Sequence, residues 1–324
     1  FWLAGLLKRP IRAEWKWRWL ISTLFLSLIV AFAVLYDIQI HKESAENIQS
    51  KFSNLQPQGE NSDSENFLNK FLNNGANLSE DLRFEATYLY NVKGLEIIRM
   101  NQTEHTAVAF LAVVNLKQYE VVLDSVCSFK KLTSEFAMKY NVDIAVNGEA
   151  GMSPGPKSPL GEWTGMYAVN GRILINEDSE HRPFVGFNNS NEISYYPEEE
   201  ILNTLPGGIV NVIWGRFDLM RNGELNISRY DDTQTSRYPR TVIGMDEIGE
   251  RVFLLVVDGR NPSYSRGLTM EQCGKYLQLA GCWNAMACDQ GGSSAMYLKN
   301  AGIINQPADG VERVVYTHLG FRKK

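Results

Sequence analysis

Arg240-Thr241-Val242-Ile243-Gly244-Met245 is followed, across the turn Glu247-Ile248-Gly249-Glu250, by Arg251-Val252-Phe253-Leu254-Leu255-Val256-Val257. Two apolar runs of strand length joined by a short polar turn predict an antiparallel pair. Next, Thr269-Met270-Glu271-Gln272 has the hydroxyl and amide spacing of a capping box, so a helix should start there. It should run to about Ala280 and stop at Gly281, a residue suited to the left-handed position after a helix. Asn284 to Cys288 then reads as a strand that delivers Asp289 at its end. Strand pairs interrupted by isolated helices, without regular βαβ alternation, predict an α+β fold: a mixed, mainly antiparallel sheet domain with a few helices.

The same grammar extends upstream. Gly94–Met100, Ala107–Val114 and Glu120–Leu123 read as strands, Leu132–Tyr140 as a helix, and Val142–Val146 as a buried strand ending in Asn147-Gly148-Glu149-Ala150-Gly151. Asn170-Gly171 between two apolar runs is a strong hairpin signal, because both residues accept the positive φ of a tight turn. A second hairpin is expected around Asn188-Asn189-Ser190-Asn191. Pro154, Pro156, Pro159 and Gly161 mark a rigid loop. From Pro197 to Arg237 no period dominates, and Gly207-Gly208, Trp214 and Asp231-Asp232 are expected in loops.

The N-terminus carries a different signal. Lys8, Arg9, Arg12, Lys16 and Arg18 face only Glu14 in the basic segment 1–18, whereas the whole chain has a net charge of −5. The body is therefore acidic, which argues against nucleic acid as a partner. Residues 19–36, Trp19 to Tyr36, hold no charge and approach the roughly twenty apolar residues a helix needs to cross a bilayer. Flanking aromatics and the basic side predict a single membrane-spanning helix, with the N-terminus cytoplasmic and the remainder outside. Ala31-Phe32-Ala33 also fits a leader-cleavage pattern, the competing reading of this segment. Residues 37–65 are polar and broken, as in a stalk, and Phe67, Leu68, Phe71 and Leu72 have helical spacing at the entry of a domain spanning 66–324.

Charges and glycines cluster where the apolar strands end. Asp289-Gln290-Gly291-Gly292-Ser293-Ser294 places a carboxylate before a turn whose backbone can approach a ligand closely, and its amides could form an anion nest. Val257-Asp258-Gly259-Arg260 puts a carboxylate and a guanidinium at another strand end, and arginine suits bidentate contact with phosphate. Arg240, Arg266, and Asp309-Gly310-Val311-Glu312-Arg313 add further charges. Four cysteines, Cys127, Cys273, Cys282 and Cys288, allow up to two disulfides or act as small buried hydrophobes. No Cys-x-x-Cys or His-x-x-x-His spacing supports a structural zinc. No cofactor is required by any motif, although Asp258 and Asp289 could share a divalent cation.

Asn147-Gly148, Arg240–Gly244, Val257–Arg260, Gly267-Leu268-Thr269-Met270-Glu271, Asp289–Ser294 and Asp309–Arg313 occur in that order. Together they resemble the phosphodiester glycosidase family over roughly Tyr88 to Phe321. Two departures stand out: Gln290 where the family usually has glycine, and Glu149-Ala150 where it has glycine and aromatics. The resemblance implies hydrolysis of a sugar-1-phosphate diester of the N-acetylglucosamine type at its glycosidic bond, in glycan or exopolysaccharide metabolism. An ordinary glycosidase protonates a poor leaving group with one of two carboxylates, whereas phosphate leaves readily. The expectation is therefore one carboxylate at the sugar and cations at the phosphate. Asp289 is the leading catalytic candidate, followed by Asp258 and Glu312. Arg240, Arg260 and the amides of Gly292, Ser293 and Ser294 are the candidates for the phosphate, with Asn147 on the sugar, and Gly148, Thr241, Gly291, Asp309 and Arg313 complete the substrate-binding candidates. Two other readings compete. Ser293, Asp309 and His318 follow the chain order of a serine hydrolase, and the departures at Gln290 and Glu149 would fit a non-catalytic glycan-binding protein on the same scaffold.

Overall fold

The computed structural model describes residues 22, 23, 25–31, 71, 73, 78–102, 104–125, 129–149, 165–177, 182–198, 204–228 and 232–324. The chain divides into two compact units, Phe1–Ser53 and Asn54–Lys324. In the first, the described residues are helical, and Phe25, Leu26, Leu28, Ile29 and Val30 are exposed. Among the described residues no helix is long and apolar enough to cross a membrane. The rest of the predicted span, the stalk, the proline-rich loop and Cys127 lie outside the described residues.

Among its described residues the second unit forms three sheets. The largest has eight strands in the order β1 (Phe84–Val92), β2 (Leu95–Gln102), β3 (Ala107–Asn115), β14 (Arg251–Val257), β13 (Arg240–Met245), β15 (Asn284–Ala287), β11 (Phe217–Arg221) and β12 (Glu224–Leu225). A five-stranded sheet runs β7 (Arg172–Glu177), β6 (Gly165–Val169), β10 (Ile209–Trp214), β8 (Phe184–Asn188) and β9 (Ile193–Tyr196). The third runs β17 (Gly302–Ile303), β16 (Met296–Leu298), β5 (Ile144–Asn147), β18 (His318–Lys323) and β4 (Tyr119–Leu123). Every pairing between neighbours in these sheets is antiparallel, so the expected mixture of parallel and antiparallel pairs is not seen. Helices α1 (Thr133–Tyr140), α2 (Asp232–Thr235) and α3 (Met270–Leu279) complete an α+β architecture.

The expected β13–β14 pair forms in register from Arg240↔Val257 to Met245↔Val252. The capping box of α3 closes in both directions, Gln272 N–H to Thr269 Oγ1 at 3.2 Å and Thr269 N–H to Gln272 Oε1 at 3.1 Å. Met270, Cys273, Tyr276 and Leu277 of α3 join Leu219, Val242, Phe253, Leu255 and Val257 of the large sheet in one core. Phe71 enters the same core and packs its ring 5.0 Å from Phe84. Both faces of β3 are buried, which explains its unbroken apolar run. Asn170 and Gly171 take φ of 51° and 78°, as the β6–β7 turn requires.

The illegible stretch holds β10, β11, β12 and α2. Trp214, expected in a loop, ends β10 at 1% exposure and stands edge-on to Tyr167, with ring centroids 6.0 Å apart. In β11 the apolar pattern is broken by Asp218, which is fully buried because Tyr195 and Arg221 both donate to it. Cys273, Cys282 and Cys288 are free and buried, so they follow the hydrophobic reading and not a Cys282–Cys288 bridge.

Candidate active site

The strand ends of the large sheet and of the β5 sheet meet around Asn147. This residue is fully buried, and its side chain is committed to the scaffold. Its Nδ2 donates to the carbonyls of Gly148 (3.0 Å) and Asp289 (3.1 Å). Its Oδ1 accepts from Thr241 Oγ1 (2.7 Å) and Ala295 N (3.1 Å). One amide thus ties β5, β13, the segment after β15 and the start of β16 together. Asn147 and Thr241 hold the site in place instead of offering polar atoms to a sugar. Gly148 sits equally close: a Cβ there would lie 2.9 Å from Ile213 Cδ1, and its carbonyl accepts from Asp289 N.

Asp289 follows β15, as expected, but a second carboxylate lies beside it. Arg216, in the link between β10 and β11, contacts Asp289 Oδ1 at 3.1 Å and Glu149 Oε2 at 3.4 Å through the same nitrogen, Nη2. The backbone of Arg216 is pinned by its N–H to Ala287 O at 2.6 Å, and that of Glu149 by its N–H to Thr317 Oγ1 at 2.7 Å. Glu149 is 4% exposed, and burial pushes its carboxyl up to about 7. Proximity to Glu149 in turn raises Arg216 above its ordinary value. Glu149 Oε1 is buried and has no hydrogen-bond partner among the described residues. A carboxyl poised near neutrality next to a second carboxylate is the pairing that acid–base work at a glycosidic centre needs. In the sequence Glu149 stands out only as a departure from the family pattern, and Arg216 belongs to none of the motifs. The signal was the apolar Val212-Ile213-Trp214 leading into Gly215-Arg216, the same strand-end pattern found at Asp258 and Asp289.

The turn after Asp289 is a single 3-10 turn, Gly291–Ser293. Gly291 has φ of 71°, and a Cβ on it would come within 2.8 Å of Arg260 Nη2. At Gly292 a Cβ would run into Asp309 Oδ2 and Arg313 Nη2. The two glycines therefore let two guanidiniums close on the turn. Asp309 bridges them, at 3.5 Å from Arg260 Nη1 and 2.5 Å from Arg313 Nη2. One carboxylate between two partly exposed arginines gives this cluster a surplus positive charge. Arg260 also lies over the Tyr238 ring at 4.5 Å. The amides of Gly291 and Ser294 donate to Pro239 O and Gly291 O.

The other expected residues have different positions. Arg240 is fully buried, donating to Leu268 O at 3.1 Å, to Ser236 O at 2.7 Å and to Gln290 Oε1. It therefore anchors the Asp289 loop through Gln290, the residue that replaces the family's glycine. Asp258 is 1% exposed and accepts from Asn305 Nδ2 (2.9 Å), Gln306 N (2.9 Å) and Tyr264 OH (3.0 Å). Burial raises Asp258 to about 7, and its oxygens are occupied by these donors and not shared with Asp289. Glu312 accepts from Ser134 N (3.0 Å) and Ser134 Oγ (2.6 Å) on the first turn of α1, a helix-capping contact. Among the described residues no group of three or more His, Cys, Asp or Glu is placed to hold a metal ion.

The serine-hydrolase arrangement is not assembled. Ser293 and Ser294 are buried, with hydroxyls that have no partner among the described residues. His318 stacks on Phe136 at 4.9 Å, and burial lowers it to about 4. Asp309 pairs with arginines instead.

A sequence profile described as phosphodiester glycosidase matches residues 140–322. Among solved structures, the chain is similar to the zebrafish N-acetylglucosamine-1-phosphodiester α-N-acetylglucosaminidase catalytic domain auto-inhibited by its pro-peptide. The identity is 20% and the TM-score 0.57, over 77% of this chain and 85% of that one. A Synechocystis protein aligns at 11% identity and TM-score 0.54, over 74% and 64% of the two chains. A Burkholderia pseudomallei protein described as exported aligns at 12% and 0.51, over 67% and 74%. No curated protein matches. These structural likenesses establish the fold.

Proposed function

The chain belongs to the phosphodiester glycosidase family, and from that premise we propose that it hydrolyses the glycosidic bond of a sugar-1-phosphate diester, with an N-acetylglucosamine-type sugar. The observation that carries this reading is the pair Glu149 and Asp289 on one nitrogen of Arg216, beside a glycine turn flanked by Arg260 and Arg313. Water adds to the anomeric carbon as the bond from that carbon to the phosphate oxygen breaks. The electron pair leaves with the phosphomonoester, and the proton lost by water passes to a carboxylate. Glu149, poised near 7, is suited to take that proton, while Asp289 faces the cationic sugar centre. Arg260 and Arg313 meet the charge gathering on the phosphate, a form of stabilisation worth most where donors are held in advance. The earlier expectation of a single carboxylate thus gives way to a pair. The glycan-binding alternative predicts binding without turnover of any sugar-1-phosphodiester.

The enzyme is further proposed to sit on a membrane through residues 19–36, with Asn54–Lys324 outside the cytoplasm and acting in glycan or exopolysaccharide metabolism. The charge-free span and the exposed apolar side chains of its described helical residues support this. Residues 54–324 should be digested by protease added to intact cells, and protection of that unit would count against the orientation. The catalytic reading is tested by sugar release from a panel of sugar-1-phosphodiesters by the full chain. Asp289→Asn should remove release, and full turnover by that variant would take away the leading role.

A further inference from the structure

Tyr238 lies two residues ahead of Arg240 and outside every motif of the chain. Its backbone is held by the segment that leads into α3: Tyr238 N donates to Leu268 O and Leu268 N to Tyr238 O, each at 3.2 Å. The next residue, Pro239, accepts at its carbonyl from Gly291 N at 3.1 Å, the first amide of the glycine turn. Pro239 also lies so close to Gly259 that a Cβ there would come within 2.8 Å of its nitrogen. Tyr238-Pro239 thus joins the turn after Asp289 to the loop that carries Arg260.

The side chain of Tyr238 meets two guanidiniums. That of Arg240 has its central carbon 5.5 Å from the centre of the ring and is fixed, because it donates to Leu268 O, Ser236 O and Gln290 Oε1. Arg260 stands closer, 4.5 Å from the ring centre, and its Nη2 donates to Tyr238 OH. Arg260 also has a backbone φ of 62°, in the left-handed region that non-glycine residues rarely enter. Its direction is therefore set by the loop and by the ring together.

Holding an arginine at a phosphate site is a matter of charge as well as geometry. A long, partly exposed side chain loses rotamer freedom when it binds an anion, and a partner that orders it beforehand lowers that cost. Asp309, 3.5 Å from Arg260 Nη1, orders the guanidinium but also offsets its charge. A tyrosine does the first without the second. Its ring face attracts the cation, and its neutral hydroxyl accepts one N–H. A guanidinium carries more N–H donors than these contacts use, and the rest can meet phosphate oxygens. We propose that Tyr238 is the positioning residue of the phosphate site: it holds Arg260 toward the glycine turn, in advance of the ligand, without cancelling its charge. The inference rests on the phosphodiester reading and deepens it, since it names the group that sets the grip of the site on phosphate.

A double-mutant cycle reads this directly. Calorimetry with inorganic phosphate on the full chain would measure Tyr238→Leu alone and in an Arg260→Gln background, with Arg313 left to bind the anion. One cation–π contact and one hydrogen bond to a cation predict a loss of phosphate affinity of about tenfold for Tyr238→Leu. Tyr238→Phe keeps the ring and should lose about threefold; it carries the same cycle if the leucine variant does not fold. In the Arg260→Gln background both substitutions should leave the affinity where it is, whereas a residue that only stabilised the fold would weaken binding equally in both. Equal losses with and without Arg260, no loss in Tyr238→Leu, or no phosphate binding by the wild type overturns the assignment. Sugar release from a simple methyl phosphodiester, measured in parallel, reports on the catalytic reading alone: its absence while the coupling persists would fail that reading and keep Tyr238 in its role.

Discussion

Glu149 differs from glutamine by one ionisable proton, so Glu149→Gln asks directly whether that proton is used. Burial holds the carboxyl at about 7. If its ionised form accepts a proton from water, wild-type turnover rises with pH through an inflection near 7 and levels above it. Glu149→Gln should lose that inflection and lower kcat by about 10²–10⁴, the usual weight of general acid–base catalysis. A flat wild-type profile across pH 5.5–8.5 would move the role elsewhere. Arg216→Lys offers a second check at this scale. A lysine keeps the charge but is shorter and lacks the planar guanidinium whose Nη2 reaches both carboxylates, so kcat should fall while the fold, read by circular dichroism, stays. Neither residue was legible as catalytic from sequence. Glu149 sat in an unfamiliar string after Asn147-Gly148, and Arg216 followed a strand whose neighbour carries a buried aspartate. The strand-end position of Asp289 was legible because an apolar run ends there, just ahead of Gly291-Gly292.

At the scale of single elements, the helix α1 and the turn after Asp289 make opposite predictions. Glu312 caps α1 through Ser134, so Glu312→Ala should destabilise the protein by about 1 kcal/mol with little change in turnover. A thermal melt and a steady-state assay on the same preparation decide this. A large loss of kcat at unchanged stability would restore Glu312 to the chemistry. Gly292→Ala should do the reverse, because its methyl group displaces the Asp309–Arg313 pair from the turn. Its KM should rise several-fold while the melt moves little; an unchanged KM would detach this turn from the phosphate. The elements best read in advance, β13, β14 and α3, follow simple local rules: continuous apolar strands and a reciprocal cap. β10 and β11 escaped because tertiary packing, with Trp214 over Gly165 and Asp218 under Arg221, overrides the local pattern.

For the whole molecule, the buried carboxyls at Glu149 and Asp258 couple stability to pH. Both sit near 7 when folded, against an ordinary value near 4. Between those values the folded protein keeps protons that the unfolded chain has lost, so stability falls as pH rises from about 4 through 7. His318, lowered to about 4 by burial, acts oppositely, since its unfolded form takes up a proton below about 6.5. Comparing the wild type with Glu149→Gln cancels His318 and Asp258. The variant should gain in Tm relative to the wild type between pH 5 and pH 8, and a constant difference would contradict the raised carboxyl. The all-antiparallel arrangement brings strand ends from two sheets to one place, which is why residues far apart in sequence meet at Asn147. Sequence order alone could list those strand ends but not say which shared an arginine. The most direct test of the central claim is release of free sugar from an N-acetylglucosamine-1-phosphate diester by the full chain. The account predicts stoichiometric sugar and phosphomonoester with the wild type and loss of both products in Asp289→Asn and Glu149→Gln. Release that persists undiminished in both variants would contradict it.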